Sequence, residues 1–188
     1  MTSFHIHAVE EKDVAELSDI AQRAYIDHYT YLWQDGGKWY TQKMYAEAQL
    51  LSEIKDPNVA YYIVSQNNIP LGFIKLKKDY PLSIGASGLT FGHGEGSKIA
   101  LLNALYIDRI YFVKEATSKG IGKACFDFME KLAITENKNS LWLMAMDCST
   151  DAIRFYEKQG FEKCGSWVLD FEIMKPELRN MSIFYKQL

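Results

Sequence analysis

Cysteine and proline are scarce in this sequence, and their scarcity argues against two kinds of architecture. The three cysteines, Cys125, Cys148 and Cys164, form no CxxC pair and are odd in number. We therefore predict small buried thiols in a reducing cytosol rather than a disulfide framework. Only four prolines occur, and no segment is rich enough in proline, glycine or serine to link two domains. We expect one cytoplasmic domain over residues 1–188.

Charge of one sign and long apolar runs are also lacking. The formal net charge is only −3, which gives no attraction to nucleic acid or to an anionic membrane and mildly favours cationic partners. No run approaches the roughly 18 apolar residues of a membrane-spanning helix. The N-terminal segment MTSFHIHAVEEKDV shows no secretory signal. Hydrophobic residues nevertheless make up 48% of the chain, which is enough for a globular core.

Hydrophobic periodicity predicts the element order β-α-α-β-β-β-α-β-α-β-β. The two β-α-β crossovers in the second half indicate a parallel strand pair within a mixed sheet. Residues 80–98 have the composition of a loop, including the GHGEG run at 92–96. The predicted elements are a strand at 4–9, helices at 10–33 and 39–54, a hairpin at 60–79, a strand at 104–113, a helix at 120–135, a strand at 140–147, a helix at 149–160, and strands at 161–173 and 181–188.

The segment TSKGIGKA, residues 117–124, leads from the longest predicted strand into an amphipathic helix. Amides at a helix N-terminus bind phosphate readily, and Gly120 and Gly122 leave room for a ligand to approach the backbone. Lys119 and Lys123 add positive charge. The P-loop pattern and the GxGxxG turn are both absent, since Ala124 and Cys125 stand where those motifs need other residues. From this turn alone, tight packing and phosphate binding are equal alternatives.

A second segment, STDAIRFYEKQGF at 149–161, distinguishes between them. Together the two segments resemble the GCN5-related N-acetyltransferase (GNAT) family. In that family a Gln/Arg-x-x-Gly-x-Gly/Ala turn and its helix precede an Asn-x-x-Ala-x-x-Phe-Tyr-x-x-x-Gly-Phe helix. The motifs cover residues 107–161, and the RIYF run with the aromatic-rich N-terminal helices is similar to polyamine acetyltransferases of the PaiA type. The sequence departs from the pattern at Thr117 and Ser149.

The resemblance implies an acyl-CoA N-acyltransferase-like fold and acetyl-CoA as cosubstrate, with no metal. The fold class is then α/β (α+β), with a mixed, mostly antiparallel central sheet, a splayed parallel strand pair and helices on both faces. One strand edge would pair with the pantetheine amides, and the glycine turn would hold the pyrophosphate. The residues implied to bind the cofactor are Ile110, Tyr111, Phe112, Ser118, Lys119, Gly120, Ile121, Gly122, Lys123, Ser149 and Tyr156.

Two residues are candidates for proton transfer. Tyr156 stands at the family's donor position, where its hydroxyl would protonate the leaving thiolate; the alternative is a half-buried core aromatic. Asp108 is the candidate base that takes the proton of the acceptor amine, directly or through water. Its alternative is an ion pair with a neighbouring strand or with Arg109. Met144 occupies the place where some family members have a glutamate, so that base is missing here.

Acceptor recognition is the least defined part of the site. Tyr29, Trp33 and Trp39 belong to a group of rings on the two N-terminal helices that would enclose an amine by cation–π contact, or form core. Asp27 and Asp35 are candidates for holding ammonium groups, or are solvated surface residues. His5 and His7 have metal-binding spacing but lack further ligands nearby, so no metal is predicted.

The leading hypothesis is an enzyme that moves acetyl from acetyl-CoA to a primary amine by direct attack in a ternary complex. The acceptor would be a small amine or polyamine, an amino acid or a protein N-terminus, and a homodimer is left open. The alternative is a non-catalytic acyl-CoA-binding sensor of the same fold, suggested by Thr117, Ser149 and the missing glutamate. A flavodoxin-like fold fits the hairpin at 60–77 poorly, because it needs a mostly parallel sheet.

Overall fold

The computed structural model describes residues 4–85, 88–91, 99–101, 103–116 and 120–188. The helices are α1 Val14–Tyr29, α2 Lys38–Met44, α3 Glu47–Ile54, α4 Ile121–Thr135 and α5 Thr150–Lys158. The strands are β1 His5–Ala8, β2 Val59–Gln66, β3 Ile69–Lys77, β4 Leu82–Gly85, β5 Gly88–Phe91, β6 Ile99–Leu101, β7 Ala104–Phe112, β8 Ser140–Met146, β9 Glu162–Val168 and β10 Asn180–Gln187.

Seven of the strands form one mixed sheet in the order β1-β2-β3-β7-β8-β10-β9. The strands β7 and β8 are its parallel pair, in register from Ala104 opposite Ser140 to Ile107 opposite Leu143. The pair β1–β2 and the pairs that β10 makes with β8 and β9 are antiparallel. The predicted fold class is confirmed, and the flavodoxin-like alternative is wrong because it requires a mostly parallel sheet.

The predicted helix at 39–54 is wrong, because the structure has two helices there. Tyr45 ends α2 with φ −120° and ψ 11°, and Ala46 is extended before α3 begins. The Tyr45 ring is fully buried, and the Ser18 hydroxyl donates to the Tyr45 carbonyl at 2.6 Å. The Ser18 hydroxyl of α1 therefore satisfies the Tyr45 carbonyl, which has no need of an amide from a continued helix. The break between α2 and α3 lets the Tyr45 ring turn into the core.

Two further segments differ from the prediction. The range 80–98 is not only loop, because β4 and β5 lie in it, and β4 pairs with both β5 and β6 in a second, antiparallel sheet. The GHGEG run at 92–96 lies outside the described residues. The predicted strand at 161–173 ends early, at Val168. The Arg179 guanidinium donates to the carbonyls of Glu172 and Met174, each at 3.0 Å for Nη2, which favours an irregular turn over a continued strand.

The chain divides into two compact units. The first consists of Met1–Leu76 and Arg109–Cys125, and the second of Lys77–Asp108 and Phe126–Leu188. Buried side chains at helical spacing on α1 form part of the first core, and a cluster around Trp142 forms part of the second. The expectation of a single domain stays a prediction. Within the described chain, no helix has both the length and the apolar character needed to span a bilayer.

Candidate active site

The exit from β7 is shaped by a carboxylate of α1. After β7 the chain makes a short 3-10 turn at Lys114–Ala116, and the Lys114 amide donates to Asp27 Oδ2 at 3.0 Å. Asp27 therefore has a structural partner in the backbone, where the sequence left open an ammonium-binding role. Thr117 and the predicted cofactor-binding residues Ser118 and Lys119 lie outside the described residues.

The N-terminus of α4 has the backbone conformation that an anion cradle requires. Gly120 has φ +76°, and a Cβ built there would meet no atom within 4 Å. At the start of α4, the Ala124 amide donates to the Gly120 carbonyl at 3.2 Å. Among the described residues, no acceptor contacts the amides of Ile121 and Gly122, which precede that bond. Open space around Gly120 and helical amides with no acceptor among the described residues together fit a phosphate group.

The C-terminal half of β7 contains the predicted pantetheine edge. The pairing between β7 and β8 ends at Ile107, so the backbone of Ile110, Tyr111 and Phe112 takes no part in it. On the first unit's side, the Val113 amide donates to the Leu71 carbonyl at 2.9 Å. A strand that leaves its parallel partner keeps unpaired polar groups along one edge, and such an edge can accept an extended ligand.

Asp108 is the first residue of β7 beyond the paired segment, and its side chain is only 15% exposed. Its Oδ2 lies 3.8 Å from Nζ of Lys77, which ends β3. The structure therefore contains the ion pair with a neighbouring strand that the sequence left as an alternative. The pair does not remove Asp108 as a base, because the ammonium favours the ionised carboxylate that a base must be.

Tyr156 lies on α5 with its ring half-buried among other aromatic side chains. The ring centroid of Phe126 is 5.8 Å away, and those of Phe161 and Phe184 are each 6.4 Å away. Burial raises the pKa of the Tyr156 hydroxyl to about 12. No group in the described part of the chain forms a hydrogen bond with that hydroxyl. The Tyr156 hydroxyl is therefore protonated at neutral pH, and no described residue competes with a ligand for its hydrogen bond.

The N-cap of α5 is Ser149, but its side chain does not cap the helix. Its amide donates to the Met146 carbonyl at 2.9 Å, and its carbonyl accepts from Ile153 at 3.0 Å. The hydroxyl of this half-buried residue forms no hydrogen bond within the described chain, so it can contact a ligand. The neighbouring Cys148 is exposed. The prediction of three buried thiols therefore holds for Cys125 and is wrong for Cys148, which lies in the turn after β8; Cys164 is half-buried.

The rings proposed for acceptor recognition have different environments. Trp33 is 3% exposed, and its indole N–H donates to the Tyr25 hydroxyl at 2.7 Å, as the core alternative requires. Tyr29 is half-buried, with its ring 4.8 Å from that of Tyr111. Trp39 is also half-buried and already has a cation over its face, because Nζ of Lys43 lies 4.7 Å from the ring centroid.

The second candidate for an ammonium-binding carboxylate also has a structural partner. Asp35 accepts hydrogen bonds from the amides of Gly37 and Trp39 at 2.9 and 2.7 Å, which stabilises the start of α2. The rings of His5 and His7 stack at 5.5 Å on β1. Among the described residues, no three His, Cys, Asp or Glu side chains form a group that could hold a metal ion.

Sequence reasoning missed the lysines of β3. Lys75 is almost fully buried, with Nζ 3.0 Å from Glu53 Oε2, and the Tyr61 hydroxyl donates to the same carboxylate. Lys77, two residues further along, contacts Asp108. The available signal was strand alternation, since residues 75 and 77 point to one face of the strand. The composition of the run KLKKD, residues 75–79, pointed the other way, because a run rich in lysine is typical of a solvent-exposed strand end.

Comparison with known proteins agrees with this geometry. The family model "Acetyltransferase (GNAT) family" matches residues 15–161. An uncharacterized N-acetyltransferase in the pepI 3' region of Lactobacillus delbrueckii subsp. lactis is 27% identical over 165 residues, covering 87% of each sequence. The solved PaiA N-acetyltransferase of Thermoplasma acidophilum in complex with coenzyme A has a TM-score of 0.70 at 19% identity, with 99% of each chain covered.

A mutant spermidine N-acetyltransferase SpeG from Vibrio cholerae has a TM-score of 0.66 at 16% identity, with 98% of this chain and 93% of that chain covered. At these identities the solved structures show the fold, whereas the family model spans most of the sequence. The predicted family is confirmed. The chain belongs to the acetyltransferase (GNAT) family and is an acetyl-CoA-dependent N-acetyltransferase.

Proposed function

We propose that this protein transfers the acetyl group of acetyl-CoA to a small primary amine by direct attack within a ternary complex. The observation that carries the proposal is the N-terminus of α4, where Gly120 faces open space and the amides of Ile121 and Gly122 have no described acceptor. These groups would bind the pyrophosphate, with positive charge from Lys119 and Lys123 and a hydroxyl from Ser118. The PaiA relative was solved with coenzyme A, which supports the same ligand here.

The remaining cofactor contacts follow the chain on both sides of the turn. The backbone of Ile110, Tyr111 and Phe112 would pair with the pantetheine amides, because this part of β7 lies beyond the pairing with β8. The Ser149 hydroxyl would donate to the same arm. An N–H of the β7 edge would also stabilise the thioester oxygen as it gains negative charge during attack.

The reaction must remove protons from the acceptor nitrogen and supply one to the coenzyme sulfur. The acceptor arrives mostly as an ammonium and gives one proton to Asp108, directly or through water. The neutral nitrogen then forms a bond to the acetyl carbon, the carbon–sulfur bond breaks, and the nitrogen releases its second proton to solvent. The departing thiolate takes a proton from Tyr156, which regains one from solvent, and Asp108 releases its proton to solvent. The products are the amide, coenzyme A with its thiol, and one net proton.

For the acceptor, we propose a polyamine or other small amine, ahead of an amino acid or a protein N-terminus. The net charge of −3 mildly favours a polycation, and the SpeG relative is a spermidine N-acetyltransferase. Tyr29 and Trp39, both half-buried rings, are the proposed cation–π contacts; Trp33 would contribute as the buried support behind them. The expected cytoplasmic location and a homodimer stay predictions.

The test is to incubate the protein with acetyl-CoA and a panel of acceptors while following release of the coenzyme thiol. The panel contains spermidine, a small monoamine, an amino acid and a peptide with an unblocked N-terminus. We expect thiol release to depend on the acceptor and to be greatest with spermidine, with acetylated amine found by mass spectrometry. Tight binding of acetyl-CoA without thiol release for any acceptor over a wide pH range would instead favour the sensor.

A further inference from the structure

The second unit contains a lysine that lies against a stack of three aromatic rings. The rings of Tyr80 and Tyr106 stack at 5.1 Å with an interplanar angle of 19°, and those of Tyr106 and Trp142 at 3.9 Å and 18°. The Trp142 indole N–H donates to the Tyr80 carbonyl at 2.9 Å, which ties the stack to the backbone. Nζ of Lys77 lies 4.5 Å from the Tyr80 centroid and 5.7 Å from the Tyr106 centroid.

This stack places a positive charge beside the candidate base. Ring faces attract cations and restrict the otherwise flexible lysine side chain, so less entropy is lost when its ammonium contacts a carboxylate. The distance from Nζ to Asp108 Oδ2 is 3.8 Å, and the two side chains are 28% and 15% exposed. The pair is thus better shielded from water than an ordinary surface pair. Burial raises the pKa of Tyr80, and the negative charge of Asp108 raises it further.

We propose that Lys77 is a positioning residue for Asp108. Its ammonium, fixed by the faces of Tyr80 and Tyr106, holds the Asp108 carboxylate ionised and in one orientation, ready to take the proton of the acceptor ammonium. The inference rests on the proposed function, in which Asp108 is the base. Lys77 itself gives up no proton and makes no covalent bond in the reaction. Tyr80 is the titratable group of the stack nearest the ammonium, and it stays neutral because burial and the charge of Asp108 both raise its pKa.

The test compares the pH dependence of kcat/KM for two substitutions of Lys77. Lys77→Met keeps an unbranched apolar stem against the rings but removes the charge, whereas Lys77→Arg keeps both the charge and the ring contact. We expect the acidic limb of the profile to move to higher pH by about 0.5–1 unit in Lys77→Met, because the carboxylate loses its neighbouring cation. Lys77→Arg should restore most of the wild-type profile.

The adjacent lysine provides a matched control. Nζ of Lys78 lies 3.5 Å from Glu136 Oε1, with the side chains 33% and 37% exposed, so Lys78→Met removes a comparable ion pair away from the stack. We expect no movement of its acidic limb. Thermal unfolding of each variant establishes that the proteins are folded at the assay temperature. An unmoved acidic limb in folded Lys77→Met, with an active wild type, overturns the inference and leaves the proposed function standing.

A second measurement does not depend on activity. The carboxyl carbon resonance of Asp108, assigned by its loss in Asp108→Asn, is followed by NMR through a pH titration of wild type and Lys77→Met. We expect its midpoint to rise in Lys77→Met by the same amount as the kinetic limb. If the Asp108 resonance shifts but the acidic limb of kcat/KM does not, the inference is overturned. The Lys77–Asp108 ion pair would then exist without a role in the reaction. If the wild type acetylates no amine, the proposed function fails first and the inference falls with it.

Discussion

Tyr156 is enclosed by Phe126, Phe161 and Phe184, and this enclosure raises the pKa of its hydroxyl to about 12. A coenzyme thiolate takes up its proton with a pKa near 8.5. Full transfer of the Tyr156 proton to the thiolate is therefore uphill, because the hydroxyl has the higher pKa. In the proposed mechanism the hydroxyl contributes mainly by donating a hydrogen bond to the sulfur as the carbon–sulfur bond breaks, and solvent restores the proton that it passes on. Because the hydroxyl stays protonated across the neutral range, its own ionisation should add no basic limb to the rate profile there.

Tyr156→Phe tests this role directly. We expect kcat to fall by roughly 100-fold, because a general acid in the transition state contributes at least that factor. The affinity for acetyl-CoA, measured by calorimetry, should change little, since the ring packing is retained. An unchanged kcat would remove Tyr156 from the mechanism.

The control for that substitution is Tyr185→Phe. Tyr185 lies on β10, and its hydroxyl donates to Glu162 Oε2 at 3.4 Å, a long contact at an exposed position. This change removes a tyrosine hydroxyl from the same unit without touching the proposed chemistry, so kcat should stay at the wild-type value.

At the scale of elements, α4 is the helix on which the proposed cofactor binding depends. Gly120→Val places a branched side chain in the open space in front of the helical amides. We expect coenzyme A binding to weaken by about tenfold or more, equivalent to about 1.4 kcal/mol or more, because the side chain would occupy the position of the pyrophosphate. Isothermal calorimetry with coenzyme A measures the effect.

Gly36→Val is the control that separates backbone strain from the expected loss of coenzyme A binding. Gly36 has φ +70° and, like Gly120, no atom within 4 Å of a Cβ, so both substitutions carry a similar left-handed strain of about 1–2 kcal/mol. Unfolding midpoints should therefore fall by comparable amounts, while only Gly120→Val loses coenzyme affinity. Normal affinity in folded Gly120→Val would refute the cradle.

For the molecule as a whole, the buried pair between Glu53 and Lys75 is a place where removal of one partner should cost stability. Their side chains are 16% and 4% exposed, with Nζ 3.0 Å from Oε2. Burial raises the pKa of Glu53, but the Lys75 ammonium and the Tyr61 hydroxyl together outweigh burial and lower it. Lys75→Met should reduce the free energy of unfolding at neutral pH by about 3–5 kcal/mol, because it leaves a buried carboxylate without its cation.

Urea denaturation at several pH values checks this prediction. Because the folded-state pKa of Glu53 lies below the unfolded value of about 4.3, the unfolded state binds the proton first. The stability from this pair is therefore present above that pH and is lost as the pH falls through the folded-state pKa. Lys75→Met should lose this acid sensitivity. Lys12→Met removes an exposed pair with Glu10 and should change neither stability nor its pH dependence.

Local sequence patterns predicted most of the fold, including the strand and the two helices that contain the candidate site residues. The strand before the glycine turn, the helix α4 and the helix α5 occur where periodicity placed them, within a few residues. The break at Tyr45 and the strands β4 and β5 were not predictable in the same way. Tyr45 ends a helix because its ring packs into a core and its carbonyl bonds to Ser18, and neither partner is nearby in sequence.

The amino-acid order alone determined the elements from β7 to α5 and the motifs that indicate the family, because each depends on residues within a few positions of one another. Tertiary structure alone decided that Asp108 meets Lys77, that Trp33 is buried against Tyr25, and that position 72 must be glycine. A Cβ on Gly72 would clash with the Tyr111 carbonyl and the Phe112 ring. Such requirements arise when packing joins distant segments, and local sequence patterns contain no record of those neighbours.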